Sequence, residues 1–347
     1  MPSPIQRDPA ETCRLLTEWL AKTFPAEGLI TVTGVAIPES SGFSGETLLV
    51  DADWAGERRD LVVRVSPTTY TVFLDADFEA QYEVMRALAE HTDVPMPEML
   101  AFEADPSWLG SAFSLMRRVE GEAAPDSPPY TESGWVMDAT AEQRARMYDS
   151  GLRAMAQVHA TDWKALGLER VDRDEFDYVE QYYAWALEES GLDNPIMERA
   201  MAWIRANRPV PPAEPALCWG DSRPGNLLFR DFEVVAVLDW EMVEIGDPIM
   251  DLAWWLFLQR YHTVGSNQPL PEGFLDEAAA VARWEVLTSR TADPEVLRYY
   301  VVWAGIRFGI VMMRLGTLFK TFGLLPSEVP MESNNPVLDL LAAELAR

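Results

Sequence analysis

The most constraining feature of this 347-residue sequence is the stretch Leu217–Trp255, in which two short polar loops are separated by an apolar run. The first loop reads Gly-Asp-Ser-Arg-Pro-Gly-Asn, and its glycines and proline disfavour a regular helix, so Asp221 and Asn226 are expected at a bend. The run Phe232–Leu238 predicts a buried strand that leads to Asp239. Oxygen-bearing side chains on loops beside such a strand suit a hard cation such as Mg²⁺.

The order and spacing of these side chains match an arrangement used for phosphoryl transfer. In kinases, a loop Asp accepts the proton of the substrate hydroxyl, while an Asn and a later Asp bind the Mg²⁺ that bridges the nucleotide phosphates. The corresponding residues in this sequence are Asp221, Asn226 and Asp239. The pattern therefore predicts Asp221 as a catalytic residue and the other two as metal ligands.

The same stretch resembles the aminoglycoside phosphotransferase family of small-molecule kinases. That family's loop usually reads His-Gly-Asp-x-x-x-x-Asn, and it is followed by Asp-Trp-Glu, found here at Asp239–Glu241, and by Gly-Asp-Pro-x-x-Asp-Leu-Ala, found at Gly246–Ala253. The resemblance extends from about Thr31 to Arg314 and implies a bilobal, protein-kinase-like α+β fold. It implies a nucleotide-binding lobe with an antiparallel sheet at residues 1–118 and a mainly helical catalytic and substrate-binding lobe at residues 119–347. The Pro-rich segment Ala123–Gly134 predicts a flexible flap at the boundary.

Three segments of the first lobe are candidates for nucleotide binding. The Gly- and Ser-rich hairpin between the first two predicted strands resembles the family's phosphate loop and contains Gly42 and Ser44. Arg64 lies in the third predicted strand, where kinases place a phosphate-binding Lys, although an edge-strand Arg in solvent is the alternative. By their position in the family's linker, Arg117 and Val119 are expected to bind adenine through backbone groups.

The helix predicted over Asp77–Glu90 is the element from which kinases donate a Glu to the strand cation. On a helical wheel, Gln81 is the residue nearest to the family's Glu position, so Arg64 is expected to be held by a neutral hydrogen bond or by the phosphates alone. The apolar face of this helix is predicted to consist of Phe78, Tyr82, Met85 and Ala89.

Several residues of the second lobe differ from the family pattern or have predicted structural roles. Trp219 stands where the family commonly has a loop-bracing His, and the indole has one donor. Arg223 stands where many relatives have a His, and it is expected to neutralise the transferring phosphate, with a surface Arg as the alternative. Asp251 is predicted to anchor the loop backbone, Asp247 to cap a helix, and His159 to belong to the core rather than to react.

The charge of the chain limits its partners. The sequence has 56 acidic and 28 basic residues, a formal net charge of −28, which disfavours binding to nucleic acids and anionic membranes. The apolar stretch Tyr299–Phe319 contains two Arg residues and several Gly, so it predicts a core helix rather than a membrane span. Two cysteines, no metal-type spacing and no signal peptide at the N-terminus favour a cytoplasmic location.

Together these features predict an enzyme that transfers phosphate from ATP or GTP, with Mg²⁺, to a hydroxyl of a small molecule. Trp219 and Arg223 make the chain similar to the kinase-like domains fused to acyl-CoA dehydrogenases, which implies a hydroxyacyl-type acceptor. Antibiotic inactivation is an alternative that the acidic charge favours, although acidic residues also serve solubility. A catalytically silent nucleotide-binding regulatory module is the alternative that Gln81 and Trp219 favour. The oligomeric state is not predicted.

Overall fold

The computed structural model describes residues 7–38, 45–67, 71–74 and 77–347. The described residues form two compact units, the first within Met1–Glu90 and Pro97–Val119, and the second consisting of His91–Met96 and Glu120–Arg347. The chain thus contributes a short segment to the second unit before it returns to the first. The predicted boundary between residues 118 and 119 stays a prediction.

The first unit is built on an antiparallel sheet in which the strand order is β1-β2-β3-β5-β4. Helix α1 packs on this sheet, and its Leu16, Trp19 and Leu20 enter a core shared with the strands. Side chains alternate between the two faces of a strand, so Leu61 and Val63 of β3 are buried in that core while Arg64 lies on the opposite face. The elements are α1 (Pro9–Thr23), β1 (Ile30–Ala36), β2 (Glu46–Trp54), β3 (Glu57–Val65), α2 (Phe78–His91), β4 (Met99–Glu103) and β5 (Phe113–Arg117).

The apolar face predicted for helix α2 is wrong. Tyr82 and Phe78 are only partly buried and contact the ring of Phe102, at 5.4 and 6.1 Å between ring centroids. The helix has apolar residues on two nearly opposite sides, and the side that packs is the one that was not predicted. At about 100° per residue, Gln81 and Glu83 lie on opposite flanks of that face, so Glu83 borders it as Gln81 does. The buried residues of the helix are Ala80, Val84, Ala87 and Leu88.

The second unit is mainly helical and contains two small antiparallel sheets, with strand orders β6-β8-β9 and β10-β7. Its strands are β6 (Glu122–Ala123), β7 (Ala216–Cys218), β8 (Leu227–Arg230), β9 (Glu233–Val237) and β10 (Glu244–Gly246). Its helices are α3 (Trp135–Asp138), α4 (Ala141–His159), α5 (Glu175–Ser190), α6 (Pro195–Ala206), α7 (Ile249–His262), α8 (Glu277–Thr288), α9 (Pro294–Thr321) and α10 (Pro336–Leu345).

Helix α9 is the central helix of this unit and packs against α5, α6, α7 and α10. Its length and composition would suffice to cross a membrane, but 78% of its most apolar window is buried inside the protein. Arg307 Nη1 donates to Glu244 Oε1 at 2.6 Å, and both side chains are buried. Arg314 Nη1 lies 3.3 Å from Glu189 Oε2. The prediction of a core helix is confirmed, because the helix is largely buried and Arg307 and Arg314 pair within the unit.

The segment predicted as a flexible flap, Ala123–Gly134, is irregular but packed. Tyr130 and Thr131 in its centre are buried. The Tyr130 ring lies 4.8 Å from the His262 ring, and the Thr131 hydroxyl donates to the His262 carbonyl oxygen. The prediction failed because proline content disfavours regular structure without indicating whether the side chains pack.

Candidate active site

The loop after β7 is fixed by a carboxylate at the start of helix α7. The backbone N–H groups of Trp219 and Gly220 donate to Asp251 Oδ2 and Oδ1, at 2.7 and 2.8 Å. Gly220 has φ +91°, and a Cβ atom there would lie 2.1 Å from the Met242 carbonyl oxygen, so only glycine fits. The prediction that Asp251 anchors the loop is therefore confirmed.

His159 supports this anchor from the other side. Its Nε2 lies 2.9 Å from Asp251 Oδ2, and the indole Nε1 of Trp284 lies 3.3 Å from its Nδ1. Because an indole N–H can only donate, Nδ1 is the acceptor, and Nε2 carries the proton that is donated to Asp251. Both side chains are buried, so the prediction that His159 is a core residue is confirmed. Asp247 also has its predicted role, because its Oδ1 accepts the Ile249 N–H at 2.9 Å at the start of α7.

Three side chains contact the carboxylate of Asp221, the predicted catalytic residue: Asn226 and Arg223 of the same loop and Trp254 of helix α7. Asp221 Oδ1 accepts a hydrogen bond from the Trp254 indole at 2.8 Å, and its Oδ2 accepts one from Asn226 Nδ2 at 2.7 Å. Arg223 Nε lies 3.2 and 3.3 Å from the two carboxylate oxygens. With 18% of its side chain exposed, Asp221 is oriented by its neighbours yet reachable by a small molecule.

Arg223 lies between two carboxylates. Besides Asp221, its Nη1 contacts Asp126 Oδ2 at 2.5 Å, and its side chain is largely buried. Burial opposes the charge of the guanidinium, but Asp221, Asp126 and Asp239 outweigh it and raise the pKa of Arg223 further above its usual value. Burial likewise opposes ionisation of Asp126, but Arg223 and His262 keep the pKa of Asp126 well below its usual range. Both groups are therefore ionised across the physiological pH range.

The two predicted metal ligands lie on adjacent segments. The Leu238 N–H donates to the Asn226 carbonyl oxygen at 2.9 Å. Because Leu238 immediately precedes Asp239, this bond connects the backbones of the two segments that contain the predicted ligands. Asn226 is buried, and its Nδ2 donates to the backbone and side chain of Asp221, so its Oδ1 is the atom left to face a cation. Asp239 has φ +54°, a left-handed conformation that Asp adopts more readily than most residues. An amide oxygen and a carboxylate are donors that fit Mg²⁺.

The predicted nucleotide-binding residues belong to the first unit, and their role stays a prediction. Gly42 and Ser44 lie outside the described residues. Arg64 Nη1 donates to the Thr47 hydroxyl at 2.9 Å, and the side chain is partly exposed. The Arg117 N–H donates to the Glu98 carbonyl oxygen at 2.9 Å within the sheet, so this amide is already engaged. The carbonyl of Arg117 and the partly exposed Val119 remain the candidates for adenine.

Two residues of the site were not predicted from the sequence. Trp254 lies three residues after Asp251 on α7, a spacing that places both on one side of the helix, so its contact with the loop could have been anticipated. Asp126 gave no such signal, because it lies 97 residues before Arg223 in an irregular segment.

Comparison with known proteins decides the family. The sequence matches the model of the "Phosphotransferase enzyme family" over residues 36–291. The chain belongs to this family. It is therefore an enzyme of the phosphotransferase class, in which an alcohol group accepts the phosphate, and the predicted bilobal, kinase-like α+β fold is confirmed.

Individual relatives match over roughly two thirds of the chain. The chain is 29% identical to "Probable acyl-CoA dehydrogenase IBR3" of Arabidopsis thaliana over 67% of its length, and 31% identical to "Acyl-CoA dehydrogenase family member 10" of Mus musculus over 63%. It spans only 29% and 20% of those two proteins.

Solved structures share the fold. A putative aminoglycoside phosphotransferase from Ralstonia eutropha JMP134 has a TM-score of 0.69 at 22% identity, with 96% of this chain and 98% of that chain covered. A thermostable mutant of aminoglycoside phosphotransferase APH(4)-Ia, solved in a ternary complex with AMP-PNP and hygromycin B, has a TM-score of 0.50 at 16% identity, with 95% and 98% covered.

Proposed function

We propose that this phosphotransferase passes the γ-phosphate of ATP or GTP, with Mg²⁺, to a hydroxyl of a small hydroxyacyl-type molecule. The observation that carries the acceptor class is an aromatic cluster beside Asp221, in which Trp254 is buried while Tyr261 and Phe308 are partly exposed. Trp254 donates to Asp221, and its ring lies 5.9 Å from that of Phe308, which lies 4.9 Å from that of Tyr261. The exposed parts of these rings offer apolar surface against which a hydrocarbon body can pack.

The apolar surface continues along helix α9. Phe308, Val311 and Leu315 are partly exposed, while the residues between them are buried. Their spacing of three and four residues places them on one side of the helix. An acyl chain lying along them would gain roughly 25 cal/mol for each Å² of apolar surface removed from water. The match to proteins named as acyl-CoA dehydrogenases supports the same acceptor class.

The residues of the loop have distinct roles in the proposed reaction. Asp221 accepts the proton of the acceptor hydroxyl, and its bonds to Trp254 and Asn226 fix the direction of its carboxylate. Arg223 places positive charge where the phosphoryl group transfers. Asn226 and Asp239 would hold Mg²⁺, which neutralises charge on the nucleotide phosphates. Most of the catalytic effect is expected from orientation, because phosphoryl transfer requires little covalent work from the protein.

The nature of the donor and the location of the protein are part of the same proposal. The related APH(4)-Ia structure was solved with AMP-PNP, which favours ATP over GTP. Cys13 and Cys218 are free thiols, which fits a cytoplasmic enzyme. The alternative of a catalytically silent module is disfavoured, because the chain has Asp221, Asn226 and Asp239, the three side chains that the proposed reaction uses.

The test is a transfer assay with ATP and GTP, each with and without Mg²⁺. The acceptors are hydroxylated acids and their thioesters of increasing chain length, together with an aminoglycoside. We expect Mg²⁺-dependent phosphorylation of hydroxyacyl compounds that improves with chain length and is lost in Asp221→Asn. Phosphorylation of the aminoglycoside alone would contradict the acceptor class. Mg²⁺-dependent nucleotide binding without transfer to any acceptor would favour the silent module.

A further inference from the structure

The contacts of Arg223 are unequal. Its Nη1 lies 2.5 Å from Asp126 Oδ2, whereas its Nε lies 3.2 and 3.3 Å from the oxygens of Asp221. The shorter ion pair is therefore made with the carboxylate that is distant in sequence. A Cβ atom at Gly225 would lie 2.3 Å from Arg223 Nη1 and 3.1 Å from Asp126 Oδ1. The absence of a side chain at Gly225 leaves the space that this ion pair occupies.

Asp126 is itself held in place by the packed segment around it. Its backbone forms a bridge with Pro129, and the Tyr130 N–H donates to the Pro125 carbonyl oxygen at 2.8 Å. On the side of helix α7, His262 Nε2 lies 3.4 Å from Asp126 Oδ1. The carboxylate thus has Arg223 at one oxygen and the buried His262 at the other.

We infer that Asp126 is a positioning residue that limits the contact of Arg223 with Asp221 to the Nε–H group and directs the remaining N–H groups of Arg223 toward the transferring phosphate. A guanidinium has five N–H donors in a fixed plane. Without Asp126, that plane is free to turn and to form a bidentate pair with Asp221, the geometry that Arg and carboxylates favour. Each oxygen of Asp221 already accepts one hydrogen bond, from Trp254 or Asn226, and shares the Nε–H of Arg223. A second guanidinium N–H would fill the remaining acceptor capacity of the carboxylate, and the acceptor hydroxyl and the phosphate would each lose a partner. This inference rests on the proposed function for its catalytic consequence but not for its geometry.

The first test is kinetic and uses Asp126→Asn in the full chain. We expect kcat to fall about 10- to 100-fold, as misplacement of a catalytic group does, while KM for the nucleotide changes less than about twofold. Asp126→Glu should recover part of kcat, because it restores the charge. In an Arg223→Gln background, Asp126→Asn should have little further effect, since it acts through a group that is already removed.

The matched control is Asp174→Asn. Asp174 is also about half exposed and pairs with an arginine, Arg208, at 2.6 Å, and it caps helix α5, a role that Asn also fills. This variant loses a comparable ion pair outside the site, so its kcat should equal that of the wild type.

The second test is a pair of crystal structures, of the wild type and of Asp126→Asn. We expect two nitrogens of Arg223 to contact Asp221 in the variant but only Nε in the wild type. The inference is overturned if the Arg223 guanidinium does not move in the variant, or if kcat is unchanged. It is also overturned if the separate fold-losses in kcat from the Asp126 and Arg223 substitutions simply multiply in the double variant. A wild type that transfers phosphate to no acceptor would instead count against the proposed function, and the structures would still decide the role of Asp126.

Discussion

The indole Nε1 of Trp219 donates a hydrogen bond to the Leu238 carbonyl oxygen at 2.7 Å. This bond joins the loop that contains Asp221 to the residue immediately before Asp239. The backbone N–H of Trp219 is engaged at the same time by Asp251. Trp219 therefore braces the loop with its single side-chain donor, although the family commonly has His at this position.

Replacement of Trp219 by Phe should loosen this connection. The loss of the bond to Leu238 is expected to lower the free energy of unfolding by about 1–2 kcal/mol. The Mg²⁺-dependent affinity for nucleotide should fall as well, because Asp239 follows the released carbonyl. Urea unfolding and calorimetric titration with nucleotide measure the two effects. Trp163→Phe, which removes an indole bond to the Pro215 carbonyl oxygen, is the control, and an equal loss of affinity in both variants would contradict the prediction.

Replacement of Asp221 by Asn should separate catalysis from binding. We expect kcat to fall by about 10²- to 10⁴-fold, because the proposed proton acceptor is removed. The dissociation constant of the Mg²⁺–nucleotide complex should change little, since Asn226 and Asp239 are retained. Steady-state kinetics and equilibrium binding on the same preparation test this prediction. A parallel loss of both would indicate that Asp221 mainly maintains the loop.

Replacement of Asp251 by Asn should destabilise the protein. The buried carboxylate accepts bonds from Trp219, Gly220 and His159, and an amide group would place N–H donors against N–H donors. We expect a loss of about 3 kcal/mol in the free energy of unfolding, measured by urea denaturation. Asp276→Asn is the matched control, because it changes a carboxylate that caps α8, where Asn also caps. A stability equal to that of the control would contradict the anchoring role.

Glu233 should make the stability of the protein depend on pH in the acid range. Burial opposes its ionisation, but hydrogen bonds from Arg146 and Arg153 lower the pKa of Glu233 from 4.5 to about 2. Because the pKa is lower in the folded state, the stabilisation is present above the unfolded value and is lost as the pH falls toward 2. The side chain is partly exposed, so the contribution at neutral pH should be under about 1 kcal/mol.

The measurement compares urea midpoints of the wild type and Glu233→Gln across this acid range. The wild type should be more stable at neutral pH, and the two curves should converge at the acid end. Curves that stay parallel throughout the range would show that the ion pairs of Glu233 contribute nothing that depends on its ionisation.

The residues of the site that were predicted lie close together in the sequence, where local patterns indicate the backbone conformation. Asp221, Asn226 and Asp239 lie within one stretch, where glycines, a proline and an apolar strand restrict the backbone. Asp126 was missed because its contact with Arg223 depends on tertiary packing that no local pattern encodes. The buried face of α2 was mispredicted for a related reason, because two sides of this helix carry apolar residues and only tertiary packing decides which side is buried.

The short segment His91–Met96 limits how the two units can be separated. The Val237 N–H donates to the Pro95 carbonyl oxygen at 2.8 Å within the second unit. A fragment that begins after residue 119 would contain Val237 but lack Pro95. A fragment that ends at residue 119 would contain Pro95 but lack Val237. No single cleavage of the backbone therefore yields both units intact. A chimera between relatives would need three junctions to exchange the first unit, one on each side of this segment and one after Val119.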